Sequence, residues 1–122
     1  MLNYKSGYSR IALLQRIYHI YKGNGTAKMT SIRNENIDRL FHTIKELDSL
    51  DEFYDFFTDV CTVKELQDMA QRLQIAILLD KGTSYQNITK ETGVSAATIG
   101  RVSRCLNYGS GGYRTAIDKM KK

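Results

Sequence analysis

Residues 83–108 read TSYQNITKETGVSAATIGRVSRCLNY, and the rest of the chain can be worked outward from them. The stretch predicts a short helix, a tight Gly93-Val94-Ser95 turn and a second helix with a small, basic outer face. A hydroxyl at Thr83 or Ser84 can accept the orphan N–H groups where the first helix starts. Ile88 is the inward anchor of that helix. Gly93 permits the positive φ of a helix exit, where a Cβ would clash. Val94 plugs the space between the helices and Ser95 caps the second one. Ile99, Val102 and Leu106 follow at spacings of three and four, so they share one buried stripe. Ser95, Ala96, Ala97, Gly100, Arg101 and Arg104 are left facing outward, mostly on the N-terminal half. A helix built this way suits the DNA major groove.

Two amphipathic helices around a glycine also occur in all-α proteins that never touch DNA. Three details separate this chain from them. A solvent-facing helix normally carries Glu, Lys or Gln, yet positions 96, 97 and 100 are Ala, Ala and Gly. Glycine inside a helix costs about 1 kcal/mol relative to alanine, which makes sense where something must approach closely. The exposed charges of the second helix are Arg101 and Arg104, with no acid among them.

Charge divides along the chain. Residues 1–28 carry five bases and no acid, and residues 29–80 carry five bases against eleven acids. Residues 81–122 carry eight bases against only Glu91 and Asp118. A basic block that coincides with the helix-turn-helix is the footprint of phosphate contacts, and the acidic block suits a body facing away from DNA.

With 122 residues and no proline, the chain reads as one small, all-α domain with an extension. No apolar run approaches the ~20 residues of a membrane span, and no signal-peptide cleavage pattern follows the apolar residues 11–14. Cys61 and Cys105 lack metal-ligand spacing and read as buried small hydrophobes in a reducing cytoplasm. His19 and His42 stand alone. No nucleophile elbow, phosphate loop or paired-carboxylate motif is present, so no catalytic residue, metal site or enzymatic activity is expected. The glycines of 109–112 (GSGG) read as a flexible connector.

Residues 1–28 interleave tyrosines with Ile and Leu and end in a Gly-rich linker. They read as a basic leader or non-native extension before Met29, with a DNA- or membrane-contacting arm as the rival. The domain then spans 29–122, with its helix-turn-helix at about 84–107. Ile37, Leu40, Phe41, Ile44 and Leu47 predict an amphipathic helix over 34–49. A second helix, 51–61, is capped by Asp51 or Ser49 and carries Phe53, Tyr54, Phe56, Phe57 and Val60. Thr62 with Glu65 three residues later forms a capping box for a third helix, 63 to about 81. Leu66, Met69, Leu73, Ala76 and Ile77 line one face of that helix, while Ile75, Leu78 and Leu79 form another. A helix apolar on two sides needs two partners, and in so small a chain one of them is a second subunit. Residues 113–121 predict a last basic helix with Tyr113, Ala116, Ile117 and Met120 inward.

Three segments carry a family resemblance: CTVKELQDMAQRLQIAILLDKG, YQNITKETGVSAATIGRVSRCLNYG and YRTAIDKMKK. In order, spacing and type they resemble the Trp repressor superfamily, and within it the YerC/YecD-type Trp-repressor-related branch. The resemblance runs from about residue 30 to the C-terminus. It implies an intertwined homodimer whose two recognition helices enter successive major grooves of double-stranded DNA, about 34 Å apart, on a palindromic operator. It also raises L-tryptophan as a co-repressor. In ligand-regulated members a threonine before the third helix and two arginines form the pocket, and the matching positions here are Thr62, Arg72 and Arg101. The residue after the second arginine is glycine in tryptophan-binding members and Val102 here, where a side chain would intrude on the indole. A tryptophan cofactor is therefore not expected. Arg72 suits a salt bridge within its acidic block equally well, and Arg101 a phosphate contact.

The leading expectation is a cytoplasmic DNA-binding transcriptional regulator, a repressor. Ser95, Ala96, Ala97 and Thr98 would meet base edges or nearby phosphates, and Gly100 would permit close approach. Lys90, Arg101 and Arg104 would neutralise phosphates, with Tyr85 and Gln86 touching the backbone. The alternative is a helical dimeric protein-interaction module without specific DNA binding. A weaker reading is the DNA-anchoring module of a replication initiator or transposase.

Overall fold

The computed structural model describes residues 32–122, so the leader at 1–28 and the start at Met29 lie outside the described residues. Every regular element among them is a helix: α1 (Glu35–Lys45), α2 (Leu50–Val60), α3 (Val63–Asp80), α4 (Tyr85–Thr92), α5 (Ala96–Tyr108) and α6 (Gly112–Met120). The chain divides between Tyr54 and Asp55 into two compact units.

In the first unit, Asn34 caps α1 by accepting the Ile37 N–H at 2.9 Å. Glu35 and Asp38 in the first turn and Lys45 in the last suit the helix dipole. The helix stops at Lys45, short of the predicted 49, because the next cap takes over. One Glu52 carboxylate oxygen accepts the N–H groups of Asp48 and Ser49 at 2.7 and 3.0 Å, while Ser49 Oγ accepts the Glu52 N–H at 3.2 Å. This reciprocal pair settles the cap on Ser49 rather than Asp51. The Asp48 N–H, then the Ser49 N–H, hold the Glu52 carboxyl below its ordinary value.

The second unit is organised by α3. Thr62 and Glu65 close the capping box: Thr62 Oγ1 accepts the Glu65 N–H at 3.1 Å, and the Thr62 N–H donates to Glu65 at 2.7 Å. Towards its C-terminus, Ile75 and Ala76 are fully buried, and α4, α5 and α6 all pack on this end of the helix. The core comprises these two with Ile88, Val94, Ile99, Val102, Leu106 and Ile117, flanked by Ile77, Leu78, Leu79 and Tyr113. Met69 and Leu73, by contrast, are exposed. Of the two apolar faces read from the sequence, the one holding Ile75 fills the core, and the N-terminal part of the other is uncovered.

Four expectations need correction. Ala116 and Met120 face solvent, because the apolar anchors of α6 are Ile117 and Tyr113. Cys105 is exposed, since it follows Arg101 by one helical turn and so lies off the stripe at 99, 102 and 106. Cys61 is half-buried. The glycine connector is a shaped corner and not a loose one. A Cβ on Gly109 would collide with the Cys105 carbonyl oxygen, and Gly111 takes a φ of 87° at the start of α6.

Asp80 fastens the end of the chain. Its carboxylate accepts Arg114 Nη1 at 2.5 Å and Lys121 Nζ at 2.7 Å, both from α6 and its C-terminal cap. The hydrogen bond from Lys121, with the charges of Lys121 and Arg114, holds the Asp80 carboxyl below its usual range. A depressed folded-state value contributes stability that is present above the unfolded value of about 4 and lost as pH falls through the folded one. Asp80→Asn should therefore melt below wild type at neutral pH. The gap should close as melts are taken into the acid range, and a gap independent of pH would show that these ion pairs do not stabilise the fold.

Candidate nucleic-acid interface

The turn between α4 and α5 is fixed by local bonds. Ser84 caps α4 by accepting the Asn87 N–H at 3.2 Å. At its exit Gly93 adopts a φ of 74°, and its N–H donates to the Thr89 carbonyl at 2.8 Å. Thr92 Oγ1 donates to the Ile88 carbonyl and accepts the Val94 N–H, which aims Val94 into the core. Ser95 then caps α5, accepting the Thr98 N–H at 3.3 Å and lying 3.2 Å from the Thr98 hydroxyl. Ile99, Val102 and Leu106 are buried, so the rotation of α5 about its own axis is set.

That rotation decides which side chains are presented. Ser95, Ala96, Ala97, Arg101 and Arg104 are exposed, and Thr98 and Gly100 are half-buried. Tyr85, Gln86 and Lys90 are exposed on α4 and come together with Ala96 around one open concavity of about 380 Å³. Thr89 lines the same concavity. The sequence reading passed over Thr89, although its spacing of three and four from Gln86 and Tyr85 puts it on their face of α4. Lys90, Arg101 and Arg104 make no ion pair among the described residues, whereas Arg114 and Lys121 are paired with Asp80. All three of these unpaired cations lie on the two helices of the motif.

The four pocket positions implied by the resemblance fare differently. The Thr62 hydroxyl is engaged in the capping box, and Val102, 2% exposed, sits in the core. Arg72 and Arg101 are both exposed, and Arg72 forms no salt bridge among the described residues. Among those residues no group of acidic, His or Cys side chains could hold a metal ion, and no helix is long and apolar enough to cross a membrane.

Among the described residues Gly100 has no steric reason. A Cβ built there meets nothing within 4 Å, and the backbone is helical. Gly100→Ala should therefore raise stability by up to about 1 kcal/mol, the propensity difference between the two residues. Denaturant unfolding checks this, and a destabilised variant would show that the glycine serves the fold itself.

Comparison with known proteins agrees with this architecture. The family model described as Trp repressor protein matches residues 35–121. The chain is 46% identical over 95 residues to the uncharacterized protein YerC of Bacillus subtilis (strain 168), a match spanning 78% of this chain and 91% of YerC. A TrpR-like protein of solved structure from Eubacterium eligens ATCC 27750 superposes with a TM-score of 0.70 at 42% identity, over 73% of this chain and 92% of that one. A chain from Staphylococcus aureus, proposed to be a Trp repressor, gives a TM-score of 0.69 at 43% identity, over 73% and 89%. Matched along most of its helices in both sequence and structure, the chain belongs to the Trp repressor family, a family of DNA-binding regulators and not of enzymes.

Proposed function

We propose that this protein is a sequence-specific transcriptional regulator, a cytoplasmic repressor that occupies a palindromic operator as a homodimer. The observation that carries this reading is the outer face of α5, small at its N-terminal half and flanked by arginines without acidic partners among the described residues. Ala96 and Ala97 are short enough to let the helix seat deeply and to touch thymine methyls. Ser95 and Thr98 meet base edges or adjacent phosphates, and Gly100 allows close approach. Lys90, Arg101 and Arg104 neutralise phosphates, and Tyr85 and Gln86 contact the backbone from α4. Val60, Val63, Met69 and Leu73 are exposed apolar residues that a second copy would cover, which supports the dimer. Two copies related by a twofold axis would read a palindrome.

Two substitutions separate positioning from readout in binding to a duplex selected from a random library. Arg104→Ala should weaken binding to all sequences alike. It should lower the slope of log affinity against log salt by about one unit for each phosphate no longer neutralised, or about two for a symmetric dimer. Ala97→Glu puts a carboxylate where base edges would lie, and should abolish specific binding. The fold should remain, because an acid in the first turn suits the helix dipole. Unchanged binding by Ala97→Glu at unchanged stability would remove α5 from the groove and favour the protein-interaction module.

The co-repressor is tested apart. We infer that L-tryptophan is not an effector, a reading supported by the valine at 102, where tryptophan-binding members carry glycine. Any ligand of the folded state raises the melting temperature by mass action. Millimolar L-tryptophan should leave it unmoved, and a saturable upward shift would restore Arg72 and Arg101 as carboxylate ligands.

A further inference from the structure

Asn107 is an uncommon choice for the last turns of an exposed helix, since its side chain competes with helical bonding. Here its amide is held in one orientation. Asn107 Nδ2 donates to the Ser103 carbonyl at 2.9 Å and lies 3.3 Å from Ser103 Oγ. That leaves Asn107 Oδ1 turned towards α6, where it accepts Arg114 Nη2 at 3.3 Å. The other arm of the same guanidinium donates to Asp80, at the end of α3. Arg114 therefore bridges the helix that anchors the core and the helix that carries the recognition face.

The bridge matters because of where α5 is otherwise held. Ile99 and Val102 fix its middle, while beyond them Leu106 is the single buried residue and Tyr108 is 88% exposed. Ser103, to which Asn107 is bonded, is the neighbour of Arg104. We propose that Arg114 is a positioning residue for DNA recognition. By tying Asn107 to Asp80, it fixes the C-terminal half of α5 against α3 and so sets the direction in which Arg104 and the recognition face meet a duplex. The proposal rests on the DNA-binding reading above. It requires an arginine, because a planar fork can hold two acceptors on different helices while an ammonium acts as a point donor.

The test uses the full chain and two duplexes of equal length, one selected from a random library and one scrambled, at fixed salt. Arg114→Lys keeps the charge and the ion pair to Asp80 but loses the fork. Asn107→Ala breaks the same link with no change in charge. Each should lower the ratio of selected to scrambled affinity by roughly tenfold, within the range found for residues that couple sites without touching ligand. The double variant should lose no more than either single one, because both remove one link. Lys121→Ala removes the other ion pair of Asp80 without touching Asn107, so it should lower the melting temperature and keep the ratio. An unchanged ratio in Arg114→Lys and Asn107→Ala, or an equal fall in Lys121→Ala, would overturn the positioning role and leave only a stabilising one. A wild-type chain that prefers no duplex would instead overturn the DNA-binding reading on which the role depends.

Discussion

Burial of the C-terminal half of α3 is the constraint on which the helix-turn-helix part of this fold depends. Ile75 and Ala76 are fully buried, and α4, α5 and α6 each pack on this end of the helix. Three short helices of 8, 13 and 9 residues could not persist alone, because isolated helices of this length are marginal in water. Each is instead held by one or a few aliphatic side chains: Ile88 for α4, Ile99, Val102 and Leu106 for α5, and Ile117 for α6. Truncating a buried isoleucine to alanine typically costs about 2–5 kcal/mol, a large share of the roughly 5–15 kcal/mol that stabilises an ordinary domain. The core is small, so each anchor counts.

The same packing sorts the cations. Of the basic residues in the C-terminal block, Arg114 and Lys121 are neutralised by Asp80, while Lys90, Arg101 and Arg104 have no carboxylate partner among the described residues. Net charge alone gives only a basic third of the chain. Within that third the structure separates two cations that tie helices together from those left unpaired among the described residues, which include the three on the motif as well as Lys81, Lys119 and Lys122. An exposed ion pair contributes little by itself, commonly under about 1 kcal/mol. Asp80 is better placed than most, because one carboxylate accepts from two cations and is itself largely shielded, at 13% exposure.

Gly100 is where the sequence departs from local helical preference without a reason inside the described fold. It lies in regular helix, and no neighbour among the described residues would meet a Cβ there. A sequence shaped for stability alone would place alanine there. Such local conflicts gather where a surface must meet something outside the chain, and this one lies on the face that carries Ala96, Ala97 and Arg101. Gly93 and Gly109 differ from it. One adopts a left-handed φ and the other lies too close to the Cys105 carbonyl for a Cβ, so both are explained within the fold.

By itself the sequence determined the features that depend on residues three or four apart. The caps at Thr62 and Ser95, a cap at Thr83 or Ser84, the glycine exit at 93 and the stripe at 99, 102 and 106 were all legible, because a helix turns every 3.6 residues and its first N–H groups need acceptors. The segments that resemble the Trp repressor family were legible for the same reason, since that pattern repeats these signals in order. Only the tertiary structure decided what depends on distance across the chain. Apolar spacing gave α3 two faces in need of partners, one of them a second subunit, but which positions the chain itself covers was decided by its neighbours: they cover Ile75 and Ala76 and leave Met69 and Leu73 exposed. Spacing likewise could not show that Asp80 would meet Arg114 and Lys121, 34 and 41 residues away, or that Asn107 would share that arginine. A contact between side chains so far apart in sequence has no period to reveal it, and exists only once α3, α5 and α6 have closed on one core.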